Sequence, residues 1–183
     1  MSRVILDPPT FSLVDFEPDE IIAIIEGLLD DIGIEGPVTL EVDQTTPLGM
    51  ASVRSVDPMV LFVESGALED PRKLRHLSPS GARNVLGRLL FRAHDRLDPA
   101  FGDPPADGEL PLELSTAWDV YCTGRLVRLG HTHFDERQRR LYQFRTRHGF
   151  TDASDAAFRQ LWDGNGLTWA DLEGISASAS AAA

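Results

Sequence analysis

The chain has 183 residues, 42% of them hydrophobic, with 17 Lys plus Arg against 29 Asp plus Glu and a net charge of -12. That content supplies one sizeable core, so a single domain over residues 1–175 is expected, and the acidic excess argues against nucleic acid or an anionic membrane as a whole-surface partner. The one cysteine, Cys122, excludes an internal disulfide and an all-cysteine zinc site.

Residues 1–16, with Pro8 and Pro9, read as an extended arm or an edge strand. They lack the apolar run of a signal peptide, and no run in the chain has membrane-spanning length, so a soluble cytoplasmic protein is expected. From Glu17 to Ile32 the isoleucines and leucines at 21, 22, 24, 25, 28, 29 and 32 fit a helix with a broad buried face. Its acidic start suits the helix dipole, and Gly33 ends it. Val38 to Val42 alternates like a strand, Leu48 to Val56 offers a second, and the apolar run Met59 to Val63 reads as a third, buried on both faces or nearly so. Residues 64–78 read as a polar connection.

The central helix starts at Pro79, with Ser78 or Ser80 as its cap, and breaks before Pro99. Ala82, Val85, Leu86, Leu89, Leu90, Ala93 and Leu97 form its apolar stripe, opposite Arg83, Asn84, Arg88, Arg92 and Asp95. After a Pro-rich loop at 102–113 the chain is helical. Ser115 to Leu129 turns Trp118, Tyr121, Cys122, Leu126 and Leu129 inward; Asp135 to His148 is Arg-rich, with Leu141, Tyr142 and Phe144 inward; Asp152 to Trp162 and Thr168 to Ile175 follow. The tail, 176–183, is Ser and Ala alone and is expected to be disordered.

The central helix resembles the metal-binding helix of small actinobacterial zincin-like metallopeptidases, which carries His-Glu-x-x-His with a third ligand beyond it. Aligning Asp98 with that third ligand puts the first His at Arg88, the Glu at Leu89 and the second His at Arg92, so the motif reads RLLFR. Trp118 to Leu126, Trp-Asp-x-Tyr-x-x-Gly-Arg-Leu, is similar to a segment that follows this helix in some of these proteins. The resemblance covers residues 17 to about 173. It implies an α+β, zincin-like fold: a small mixed sheet, N-terminal and central helices, and a mostly helical C-terminal half. Guanidinium has no accessible lone pair and Leu accepts no proton, so a degenerate, catalytically inactive member is expected, without catalytic residues or a cofactor, acting by binding or regulation on an unknown protein or peptide partner. Arg88, Arg92, Asp95 and Asp98 would line the former cleft, the two guanidiniums neutralising Asp98. The bland alternative is a solvated helix face.

Two other readings stay open. His94, Asp98, His131 and His133 have ligand chemistry and would bind zinc in a metal-dependent, peptidase-like hydrolase if their loops met. Arg137, Arg139, Arg140, Arg145 and Arg147, interleaved with Tyr142, Phe144 and His148, would grip an acidic or phosphorylated partner, unless they pair with acids of their own chain. No Gly-x-Ser-x-Gly occurs, and Cys122, mid-helix without an adjacent His, reads as a packed apolar residue.

Overall fold

The computed structural model describes residues 3–131 and 135–180, with Asp135 described in its backbone alone. The fold is α+β, with a small mixed sheet and, among the described residues, six α-helices. The chain forms two compact units, Met1–His94 and Asp95–Ala183, a boundary the sequence reading did not draw.

In the first unit, strands β1 (Val4–Asp7), β2 (Val38–Asp43), β3 (Ala51–Val56) and β4 (Met59–Glu64) make a sheet in the order β1-β2-β4-β3. The first three neighbours run parallel, and β3 returns antiparallel against β4. The parallel β1–β2 pair needs a crossover, which helix α1 (Pro18–Ile32) supplies. Its residues Ile21, Ile24, Ile25, Leu28 and Leu29 are buried, whereas Ile22 and Ile32 are only half-buried.

The register aligns Leu6, Leu40, Leu61 and Val53 across all four strands, and all four are buried. This single row ties the period-two pattern of each strand to one core face. The arm containing Pro8 and Pro9 thus begins with an edge strand. The apolar run of β4 is central in the sheet, but Val60 and Phe62 are half-buried while Met59, Leu61 and Val63 are covered, so only one of its faces is fully closed.

The stretch 64–78, expected to be a plain connection, holds a 3-10 turn (Ser65–Ala67) and a hairpin of β5 (Glu69–Asp70) and β6 (Lys73–Leu77). Helix α2 (Pro79–Leu97) follows, its start capped by Ser78 Oγ accepting from Gly81 N at 3.2 Å. Ala82, Leu86, Leu89, Leu90 and Ala93 are buried as expected; Val85 is half-buried and Leu97, in the last turn, is exposed.

The second unit is built on α3 (Leu112–Arg128), α4 (Asp135–His148), α5 (Asp152–Asp163) and α6 (Trp169–Ser180). Phe101, Trp118 and Trp169 pack together, with ring centroids 5.3–6.4 Å apart. Helices α3 and α5 touch at Gly124, where a Cβ would lie 2.1 Å from the Trp162 carbonyl oxygen; only glycine permits that approach. Thr151 caps α5 by accepting from Ser154 N at 3.1 Å.

Three expectations for this unit are corrected. Leu129 follows the end of α3 and is exposed. Tyr142 is exposed too, because a residue two positions from buried Phe144 falls on the opposite side of a helix. Residues 176–180, expected to be disordered, continue α6, with Ser176 and Ala179 buried. Their small side chains show no hydrophobic period, yet Ala is a good helix former and Ser176 has a partner. Residues 181–183 lie outside the described residues.

Candidate functional site

On α2, Arg88, Arg92 and Asp95 fall on one stripe by helical spacing. Arg83 is exposed, but the rest of the polar side is mostly covered: Asn84, Arg92 and Asp95 are buried and Arg88 is half-buried. A solvated helix face therefore does not describe it. Arg88 Nη1 donates to Asn84 Oδ1, one turn earlier. Leu89, at the position of the would-be general base, is 4% exposed, and Arg92 5%.

Asp95, read as a cleft residue, is corrected to a structural one. Its carboxylate takes Trp118 Nε1–H at 2.8 Å and a two-pronged Arg125 guanidinium at 2.7 and 2.6 Å. Three donors on two oxygens leave little capacity for a ligand. Burial opposes the charge on Arg125, but the Cys122 sulfur and the Asp95 carboxylate outweigh it and hold the guanidinium above its ordinary pKa. The neighbouring Arg96 spans to Asp107 Oδ1 at 2.7 Å and the Pro105 carbonyl at 2.9 Å, and lies over the Trp118 ring, fixing the Pro-rich loop.

The segment Trp118 to Leu126 is accounted for residue by residue within this network. Trp118 and Arg125 bind Asp95, and Arg125 also covers the Tyr121 ring at 4.0 Å. Tyr121 Oη accepts from Leu167 N at 3.1 Å, Gly124 admits α5, and Leu126 is buried. Burial pushes the Tyr121 phenol up, so it stays protonated at neutral pH. These residues hold helices together.

Asp98 is exposed, and its carboxylate accepts from Ala100 N at 2.9 Å in its own turn rather than from a guanidinium. The expected neutralisation of Asp98 by arginine is thereby corrected: beyond the helix end, the chain folds the carboxylate into a local turn. His94 is half-buried, with a buried Nδ1 that has no hydrogen-bond partner. His131 is half-buried just after α3, and His133 lies outside the described residues. Among the described residues no three His, Cys, Asp or Glu side chains group to hold a metal ion.

The arginines of α4 are largely engaged by their own chain. Arg145 forms a two-pronged pair with Asp155 at 2.7 and 2.6 Å, Arg139 reaches Glu136 at 3.4 Å, and Arg140 bonds Gln143 at 2.9 Å and lies 3.8 Å from Asp119. Arg137 lies over the Phe158 ring. Of the five, Arg147 is exposed on the helix surface.

Sequence reasoning missed a buried polar pair at the end of α4. His148 Nδ1 lies 3.2 Å from the Phe144 carbonyl, which only accepts, so Nδ1 carries the proton and Nε2 accepts from Ser176 Oγ at 2.8 Å. Its ring stacks on Phe144 at 3.9 Å. Both partners are buried, which removes this Ser–His contact from any substrate. A histidine closing an Arg-rich helix gave no signal that a serine 28 positions later would meet it.

Among the described residues no helix is long and apolar enough to cross a membrane. No protein-family model matches the chain, and no curated protein or solved structure matches it either.

Proposed function

We propose that the chain is a non-catalytic, zincin-like protein that acts by binding another protein or peptide. One observation carries this reading: at the three helix positions where such a fold needs two imidazoles and a carboxylate, α2 has Arg88, Leu89 and Arg92, with Leu89 packed into the core. Neither guanidinium coordinates an ion and Leu89 moves no proton, so the chemistry of that motif has no substitute on this helix face. The mixed sheet followed by one long helix supports the zincin-like part of the reading.

The test is metal analysis of the purified chain together with a fluorogenic peptide-hydrolysis assay. The expected result is substoichiometric zinc and no cleavage above a metal-chelated control. Stoichiometric zinc with chelator-sensitive cleavage would replace this proposal by the hydrolase reading, in which the partnerless His94 Nδ1 becomes the first ligand to examine.

A further inference from the structure

The first unit carries four exposed apolar side chains on loops that are themselves held rigid. Leu48 is 65% exposed, Met50 61% and Leu74 75%, and Leu13 is exposed beside them in the same bonding scheme. Mobile loops shed such residues into solvent at little cost; these are clamped. Glu64, itself buried, accepts from Met50 N through its carboxylate at 2.9 Å and donates its own amide to the Met50 carbonyl. Ser65 Oγ donates to the Thr46 carbonyl at 3.1 Å, and at Gly66 a Cβ would sit 1.9 Å from the Pro47 carbonyl oxygen. Three successive residues thus press the Pro47–Met50 loop flat while its side chains face water.

The bonding continues into the neighbouring loops. Gln44 Oε1 accepts from Ser12 N and Leu13 N, both at 2.8 Å, and Ser65 Oγ meets Glu69 Oε1 at 3.2 Å. Arg75 donates its amide to Glu69 Oε2 and a guanidinium N–H to the Leu13 carbonyl, and it adopts a φ of 68°, uncommon for a residue with a side chain. Next to it, at the hairpin tip, Arg72 and Lys73 are exposed, and neither side chain has a partner among the described residues. Two unneutralised cations are a local exception in a chain of net charge -12.

We propose that this end of the first unit docks an acidic, amphipathic segment of a partner protein, whose apolar side chains cover Leu13, Leu48, Met50 and Leu74 and whose carboxylates meet Arg72 and Lys73. Charge decides the class of occupant: a basic or nucleic-acid partner gains nothing from the cations or is repelled by the acidic remainder. Preformed loops lower the ordering cost of association, which is what a clamped apolar surface supplies. The proposal rests on the binding reading above, and its failure is separable from it, because zinc-dependent cleavage bears on that reading and not on this surface.

The probe is a library of random short peptides, displayed on phage and selected against the full chain. Enriched peptides are expected to combine acidic residues with large apolar ones and to bind more weakly as salt rises. Their affinity should drop about tenfold or more in Arg72→Glu/Lys73→Glu and in Leu48→Ser/Met50→Ser, while Tyr142→Ser on α4 leaves it unchanged. Lys73→Glu alone, at an exposed side chain without contacts, keeps the test sound if a double variant misfolds. The proposal is overturned by selection without an acidic-apolar consensus, or by binders indifferent to these variants. It is equally overturned if light scattering finds a dimer that Leu48→Ser/Met50→Ser dissociates, since a second copy is then the occupant.

Discussion

Replacing Arg125 with Met tests whether Asp95 is a structural charge or a residue open to ligands. The two side chains are 5% (Asp95) and 13% (Arg125) exposed, so solvent does little to screen the pair. The substitution keeps most of the aliphatic stem but leaves Asp95 with one donor, Trp118 Nε1–H, in place of three. Breaking a buried ion pair from one side costs about 3–5 kcal/mol, because the remaining carboxylate stays desolvated without its counter-charge. Urea unfolding followed by tryptophan fluorescence reports on this unit alone, since Trp118, Trp162 and Trp169 all lie in residues 95–183. Asp95→Asn combined with Arg125→Met should recover part of the loss, because no charge is then left behind. A cost below about 1 kcal/mol for the single variant would refute the reasoning, since only a solvated carboxylate loses its partner so cheaply.

Leu61→Ala removes the centre of the row that runs from Leu6 through Leu40 to Val53, and thermal unfolding by circular dichroism should register a loss of about 2–5 kcal/mol. Gly124→Ala gains helix propensity but drives a methyl into the Trp162 carbonyl, backbone that has no rotamer to yield; a net loss of about 1–3 kcal/mol is expected in urea unfolding. For His148, burial lowers the imidazole pKa from its ordinary 6.5, with the Phe144 carbonyl and Glu113 opposing more weakly. The unfolded state therefore takes up the proton first. Stability should be full above about 6.5 and fall as the pH drops from there through the depressed folded value. His148→Gln should flatten that part of a stability–pH profile measured by urea unfolding.

Periodicity made much of this legible: α1, α2 and the buried faces of β2 and β4 follow from apolar spacing alone, because each buries a face against its own neighbours. What escaped was set by partners distant in sequence. Nothing local to Asp95 announces Arg125, and nothing in the Ser-Ala stretch of α6 announces His148. The β5–β6 hairpin escaped for a different reason: β5 is two residues long, and its partner reads as Lys-Leu-Arg-His, with no alternation to mark a half-buried strand. The charge pattern of α4 was legible only as a choice between self-pairing and recognition. Distances to Asp155, Glu136 and Asp119 favour self-pairing for Arg145, Arg139 and Arg140.

The burial of α2 also separates two ways in which a zincin-like helix loses its chemistry. If only the ligands had been exchanged, the helix face would remain open and Arg88→His/Leu89→Glu/Arg92→His would restore a site. Leu89 is 4% exposed, however, so a glutamate there exchanges core packing for a desolvated carboxyl group, a loss of about 2 kcal/mol or more that also drives its pKa upward. An imidazole at position 92 would be similarly enclosed. The triple variant should therefore melt at a lower temperature than the parent and take up no stoichiometric zinc by metal analysis. Zinc uptake with an unchanged melting temperature would mean that the face is still open and that the packing argument fails. The packing around these positions, more than the identity of the two arginines, then explains why binding elsewhere on the surface is the activity left to this chain.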